Sequence, residues 1–123
     1  LRNLTFGPTP AAITEFNGLG STNARRLANW VDWQLDWRNV DDSALDARIA
    51  AQDYTTLSKT VPQLWADHIV PNPDWLIRLR PAHEMQRLQW VRATYSKRQL
   101  REMVVAFWHN HFNVHGTHWS AGP

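Results

Sequence analysis

Hydrophobic residues in this chain recur mostly at steps of three and four positions, which is the spacing of one face of an α-helix. In the clearest case, residues 96–116, the residues that share the apolar face are Leu100, Met103, Val104, Phe107 and His111. Ser96 and Gln99 have the spacing of a capping box, and Gly116 is a typical helix stop. The pattern therefore predicts a helix that begins at Ser96 and whose apolar stripe ends in a histidine.

The same spacing predicts shorter helices earlier in the chain. Thr9 is a good N-cap, and Pro10 fits the first helical position, where a missing N–H is harmless. Leu45 and Ile49 are the expected buried positions of a third helix. Pro81 is expected to divide the region after residue 74, because proline removes a helical hydrogen bond. These signals predict helices over about residues 10–18, 22–35, 43–51 and 81–94, with shorter helical segments over residues 63–69 and 74–79.

The predicted fold class is all-α, a small array of five or six helices. No stretch alternates apolar and polar residues as a half-buried strand does, and no Asn-Gly or Asp-Gly turn joins two apolar runs. The 123 residues are enough for one core, so residues 1–123 are predicted to form a single helical unit that is part of a larger helical domain. Residues 117–123 are predicted to be a loop or to lie at a break in the chain.

The net charge of +2 is unevenly distributed along the sequence. Residues 1–74 hold six Lys or Arg against nine Asp or Glu, whereas residues 75–101 hold seven against one. We expect the basic middle to pair with the acidic first half of the same fold. Nucleic acid is an unlikely partner, because no known reading motif is present. A weaker hypothesis is binding of an anionic polymer by Arg78, Arg80, Arg87, Arg92, Lys97 and Arg98.

Several common classes of enzyme find little support in the sequence. The absence of cysteine excludes disulfides, thiolate ligands and a thiol nucleophile. No Gly-x-Ser-x-Gly elbow is present, and the three glutamates are too scattered to predict a paired-carboxylate site. No window resembles a membrane span or a signal peptide, and the start at Leu1 predicts a mature or trimmed product, for which removal of a leader is one route.

Three histidines at the end of the predicted last helix are candidate metal ligands. His111 and His115 are four residues apart, so on a helix their rings share one side, as a divalent metal requires. His109 and His111 are two apart and could share an ion only on an extended backbone. The alternative is that His111 is buried and satisfied by a hydrogen bond. A metal site here, holding Zn, Cu or Fe, would have Asn110 and Trp108 around its ligands.

Eight tryptophans suggest a second kind of function. On an amphipathic helix an aromatic residue usually belongs to the core, but exposed rings can also grip a partner. The alternative hypothesis is therefore a non-catalytic binding or assembly module that holds a protein or a polysaccharide. The rings proposed for this surface are Trp33, Trp37, Trp75 and Trp119.

Two stretches that cover well over half the chain resemble the opening of a bacterial family known as domain of unknown function 1800. The first begins with Leu-Thr-Phe-Gly-Pro-Thr-Pro at residues 4–10 and continues through residues 30–35 and 41–45. The second comprises residues 92–96 and 99–102, followed by Phe-Trp-His-Asn-His-Phe at residues 107–112. The order and spacing of these pieces make the resemblance specific.

The resemblance implies a mainly helical, exported bacterial protein of unknown activity, secreted or periplasmic. Its recurring Trp-x-x-His-Phe core falls on Trp108, His111 and Phe112, so it favours His111 over His109 and His115 as a site residue. It also implies longer relatives with a helix rich in Glu and His beyond the point where this chain stops. We therefore expect a metal-dependent enzyme site to be completed by a second polypeptide or by a missing C-terminal continuation.

Overall fold

The computed structural model describes residues 3–71 and 74–112, and within these ranges the chain forms six α-helices and no β-strand. The predicted all-α array of five or six helices is confirmed. The helices are α1 (Pro10–Gly18), α2 (Asn23–Leu35), α3 (Ser43–Ala50), α4 (Val61–His68), α5 (Trp75–Tyr95) and α6 (Gln99–His111). Among the helices of these two ranges, none is both long enough and apolar enough to cross a membrane. The single unit over residues 1–123 stays a prediction, and residues 117–123 lie outside the described ranges.

The predicted start is confirmed for α1 and is wrong for α6. Thr9 Oγ1 accepts a hydrogen bond from the Ala12 N–H at 3.2 Å, and Pro10 occupies the first position of α1. The predicted capping box of Ser96 and Gln99 is wrong, because α6 begins only at Gln99 and has no side-chain cap. The Ser96 oxygen accepts the Arg98 N–H at 3.0 Å, not that of Gln99, and its hydroxyl donates in a tertiary contact.

That contact joins the α5–α6 connection to the α2–α3 connection. The Ser96 hydroxyl donates to Asp42 Oδ2 at 2.7 Å, and the Lys97 N–H donates to Asp42 Oδ1 at 2.8 Å. Gln34 on α2 donates from Nε2 to the Lys97 carbonyl at 2.8 Å and accepts at Oε1 from the Leu100 N–H at 3.0 Å. Because Gln34, Asp42 and Ser96 are all buried, these bonds fix the point where α6 starts.

A single long helix runs through Pro81, so the predicted interruption at this proline is wrong. Proline has no N–H, which leaves the carbonyl of Ile77, four residues earlier, without its usual helical donor. His68 Nδ1 lies 2.7 Å from that carbonyl oxygen. Since a carbonyl only accepts, His68 is the donor, and it replaces the bond that Pro81 removes.

The apolar core is small. Within the described ranges, the buried apolar side chains are Trp30 on α2, Val40 on the α2–α3 connection and Leu45 on α3. The prediction that Leu45 is buried is confirmed. α2 packs against α1 and α6, and α5 packs against α3, α4 and α6. α5 and α2 are therefore the elements on which α6 is placed.

Candidate functional site

A bidentate ion pair sets the rotation of α6 about its own axis. Arg92 on α5 donates from Nε to Glu102 Oε2 at 2.9 Å and from Nη2 to Glu102 Oε1 at 2.6 Å. The hydrogen bonds to Glu102 raise the pKa of the Arg92 guanidinium, and burial works against this increase. Glu102 is only 5% exposed. The face of α6 that carries Glu102 therefore points towards the interior.

This rotation turns the apolar stripe of α6 outwards. Successive helical residues are about 100° apart, so residues 104, 107, 108 and 111 lie on the side of α6 opposite Glu102. The exposed fractions are 47% for Val104, 59% for Phe107 and 49% for Trp108. We call this surface the outer seam, formed by Val104, Phe107, Trp108 and His111. The helix face predicted from the sequence exists, but its carboxyl-terminal half faces away from the core.

His111 is exposed within an aromatic cluster at the end of the outer seam. Its ring stacks on Phe107 with centroids 5.8 Å apart and meets the edges of Trp108 and Phe112 at 5.5 and 5.3 Å. This exposure does not fit the alternative of a buried, hydrogen-bonded histidine. His111 therefore lies where a ligand or a partner could reach it.

The other predicted metal-site residues do not gather around His111. His109 and Asn110 line a groove of about 340 Å³ between α5 and α6, which Phe6 and Trp90 also border. Since α6 is helical through His111, the side chains of His109 and His111 leave the helix about 200° apart and do not face one ion. His115 lies outside the described residues. Across residues 3–71 and 74–112, no three His, Cys, Asp or Glu side chains are grouped closely enough to hold a metal.

The proposed tryptophan surface is spread over separate elements. Trp33 is half-buried and lines a cavity, and Trp75 is exposed at the start of α5. Trp37 is half-buried, with the guanidinium carbons of Arg38 and Arg101 4.6 and 4.3 Å from its ring centroid. Trp119 lies outside the described residues.

Trp90 is the most exposed tryptophan of the described residues, at 74%, and the sequence predicted no role for it. Trp65 is also exposed and had no assigned role. Helical spacing could have suggested Trp90, because Met85, Leu88 and Val91 recur at three-residue steps on one face of the helix predicted over residues 81–94, and residue 90 lies off that face. An aromatic residue that lies off the apolar face of its helix is a candidate for the surface.

Much of the basic middle of the chain pairs with groups of the protein itself, as we expected from the charge distribution. Arg98 donates to the Val40 carbonyl at 2.9 and 3.2 Å and lies 3.9 Å from Asp42 Oδ2. Lys97 Nζ lies 3.6 Å from Glu15 Oε1. These two pairs join the basic segment to the acidic first half of the chain.

A cavity of about 260 Å³ lies between the amino-terminal segment, α1, α2 and the α5–α6 connection. Its apolar walls are Pro8, Ala11, Ala12, Trp30, Trp33 and Tyr95. Gly7 borders it with a φ of 142°, a value that residues with a side chain rarely adopt. The Phe6 N–H donates to Gln99 Oε1 at 3.1 Å, which ties the amino-terminal segment to the start of α6. Two distant stretches of the sequence, residues 4–10 and 92–102, thus meet at this cavity.

Comparison with known proteins identifies one family. A model of the family described as protein of unknown function (DUF1800) matches residues 1–121. No curated protein and no solved structure matches the chain. The match includes both stretches on which the resemblance was based, and it extends over nearly the whole sequence. The chain therefore belongs to the DUF1800 family of proteins of unknown function.

Proposed function

We propose that this chain is a non-catalytic binding module whose outer seam docks an apolar helix of a polypeptide segment outside residues 3–112. The observation that carries the proposal is the exposure of Val104, Phe107 and Trp108 on one helix face. An amphipathic helix gains stability by burying its apolar stripe, and the described residues leave this stripe uncovered. Contiguous apolar surface of this kind marks interaction sites on soluble proteins.

A helix is the partner element that suits the seam best. Its residues recur at three- and four-residue steps, and such rows form ridges that pack into the grooves of a second helix. A strand partner would need a free sheet edge, and the described ranges contain no strand. Phe107 and Trp108 supply the large rings that usually contribute most of the binding energy at an interface. The partner helix would come from a second polypeptide or from a continuation of this one.

Site-specific photo-crosslinking in the native host tests the proposal. Val104 is replaced by a benzoylphenylalanine residue, and Val61, which is exposed on α4, is replaced in the same way as a control. We expect residue 104 to crosslink to one apolar helical peptide, identified by mass spectrometry, and residue 61 not to do so. Adding Phe107→Asp should abolish the crosslink, because a carboxylate would have to be buried at the centre of the seam. The proposal fails if residue 104 crosslinks no more specifically than residue 61.

A second candidate is that His111 is one ligand of a metal site in a metal-dependent enzyme. The observation that favours it is the exposed imidazole of His111, which has ring contacts but no described hydrogen bond. A bound Zn, Cu or Fe ion would act as a Lewis acid or a redox centre, and further ligands would come from His115 or from a partner.

Metal titration separates this candidate from simple binding. Calorimetry with Zn²⁺ and Cu²⁺ should show one site that is lost in His111→Ala. The site should persist in His83→Ala, which removes an exposed histidine of α5. Equal binding by the two variants would count against a ligand role for His111.

A further inference from the structure

We infer that the cavity beside the amino-terminal segment binds a small apolar zwitterion, of the class of amino acids with an aromatic or large aliphatic side chain. The cavity volume of about 260 Å³ is slightly below the range of about 300–1,000 Å³ found for ligand pockets, so its ligand is small. The rings of Trp30, Trp33 and Tyr95 and the methyl groups of Ala11 and Ala12 line it. No residue of the outer seam borders the cavity, so this site is separate from the proposed docking surface.

The polar groups in the cavity wall bond to the protein itself. Gln34 uses both its amide nitrogen and its amide oxygen on the α5–α6 connection. The Ser96 hydroxyl donates to Asp42, and the Thr94 hydroxyl donates to the Trp90 carbonyl at 2.8 Å. A molecule that enters therefore meets mainly apolar surface. It gains most free energy by burying a ring or a branched hydrocarbon group.

One pair of opposite charges lies on the solvent side of the cavity. Lys97 Nζ and Glu15 Oε1 are 3.6 Å apart, and their side chains are 52% and 53% exposed. An ion pair of this length and exposure is weak, so both charges remain open to exchange. A zwitterion replaces the pair without leaving a charge alone, since Lys97 takes its carboxylate and Glu15 takes its ammonium. A ligand with a single charge leaves Lys97 or Glu15 without a counter-ion.

Calorimetric titration of the chain with four small molecules separates these contributions. L-phenylalanine has the ring and both charges, 3-phenylpropionate lacks the ammonium, 2-phenylethylamine lacks the carboxylate and glycine lacks the ring. We expect L-phenylalanine to bind, and each of the other three to bind at least about tenfold more weakly. The inference is overturned if L-phenylalanine does not bind, or if any of the other three binds as tightly.

Two variants tie binding to this cavity. Ala12→Leu fills it from α1 with a good helix former, and Ala47→Leu makes the same change at an exposed position of α3 that does not border the cavity. We expect Ala12→Leu to lose L-phenylalanine binding at least about tenfold and Ala47→Leu to keep it, while both retain a cooperative thermal transition. Binding by Ala12→Leu at the wild-type affinity would exclude the cavity.

A third variant tests the charge pair at an exposed side chain, where folding is not at risk. Lys97→Met removes the group assigned to the ligand carboxylate. We expect it to abolish the preference for L-phenylalanine over 2-phenylethylamine. An unchanged preference would contradict the role of Lys97.

Discussion

Glu84 holds the connection between α3 and α4 against α5, and its substitution is the sharpest test of the fold. The carboxylate accepts the backbone N–H groups of Thr55 and Thr56 at 3.0 and 2.8 Å and their hydroxyl groups at 3.1 and 2.6 Å. Arg80 Nε, one helical turn earlier, donates at 3.1 Å. Glu84 is only 7% exposed. One side chain therefore satisfies five donors, and Glu84→Gln would turn an amide N–H₂ towards some of them.

The pKa of Glu84 gives the size of the effect. Burial raises this pKa, but hydrogen bonds from Thr56, Thr55 and Arg80 together outweigh it and lower the pKa from 4.5 to about 2. One pKa unit corresponds to about 1.36 kcal/mol, so the ionised Glu84 carboxylate contributes at most about 3 kcal/mol to the free energy of unfolding. The loop that carries Thr55 and Thr56 lies near solvent, which weakens these bonds by screening. We therefore expect a contribution of about 2 kcal/mol.

The sign of the pH dependence follows from the lowered pKa. A carboxylate with a lower pKa in the folded state stabilises the fold fully above its unfolded value, and the contribution is lost as the pH falls from 4.5 towards 2. Urea denaturation at pH 7, 5, 4 and 3 measures it. We expect Glu84→Gln to lower the free energy of unfolding by about 2 kcal/mol at pH 7, with the difference shrinking across that window.

Glu15→Gln is the matched control. Glu15 is half-exposed and its described ion pair, with Lys97, is 3.6 Å long, so we expect a change within about 0.5 kcal/mol. Our account of Glu84 is refuted if the two variants behave alike at pH 7, or if the loss in Glu84→Gln is the same at pH 3 as at pH 7.

Two further changes test the contacts around α5. Arg92→Lys removes the bidentate contact with Glu102 and should lower the free energy of unfolding, measured by urea titration, by about 1–3 kcal/mol. An unchanged urea midpoint would contradict a structural role for the pair. His68→Ala should lose about 1–3 kcal/mol by leaving the Ile77 carbonyl without a donor, but clearly less in a Pro81→Ala background, where residue 81 regains its N–H. A double-mutant cycle measures this coupling, and strictly additive losses would show that His68 does not replace the missing bond.

The helical periodicity of the sequence predicts the elements well and their rotation poorly. The stripe at Leu100, Val104, Phe107 and His111 correctly indicates a helix with one apolar face. A periodic pattern does not say whether that face meets the core or a partner. Here the direction is decided by Glu102, whose partner Arg92 is ten residues earlier on a different helix. Such a pairing leaves no local signal.

The starts and interruptions of helices fail for a related reason. Ser96 has the sequence signature of a cap, but its hydroxyl bonds Asp42, fifty-four residues away. Pro81 has the signature of a helix break, but His68 from α4 supplies the donor that the helix lacks. The cavity was not predicted, because its walls come from α1, α2 and the α5–α6 connection.

The distribution of buried groups leads to a prediction about the outer seam. Within the described ranges eight polar or charged residues are buried, against three apolar ones, so hydrogen-bonded contacts between loops and helices determine much of the packing.

If the outer seam serves a partner, its residues should contribute little to the stability of this chain alone. We therefore expect Val104→Ser to change the free energy of unfolding by at most about 0.5 kcal/mol, since Val and Ser have similar helix propensities. Val40→Ala, at a site 1% exposed, should lower it by about 2 kcal/mol. Urea denaturation of both variants decides the matter: a loss at Val104 as large as at Val40 would mean that the seam belongs to the core of this chain, and no surface would remain for the partner.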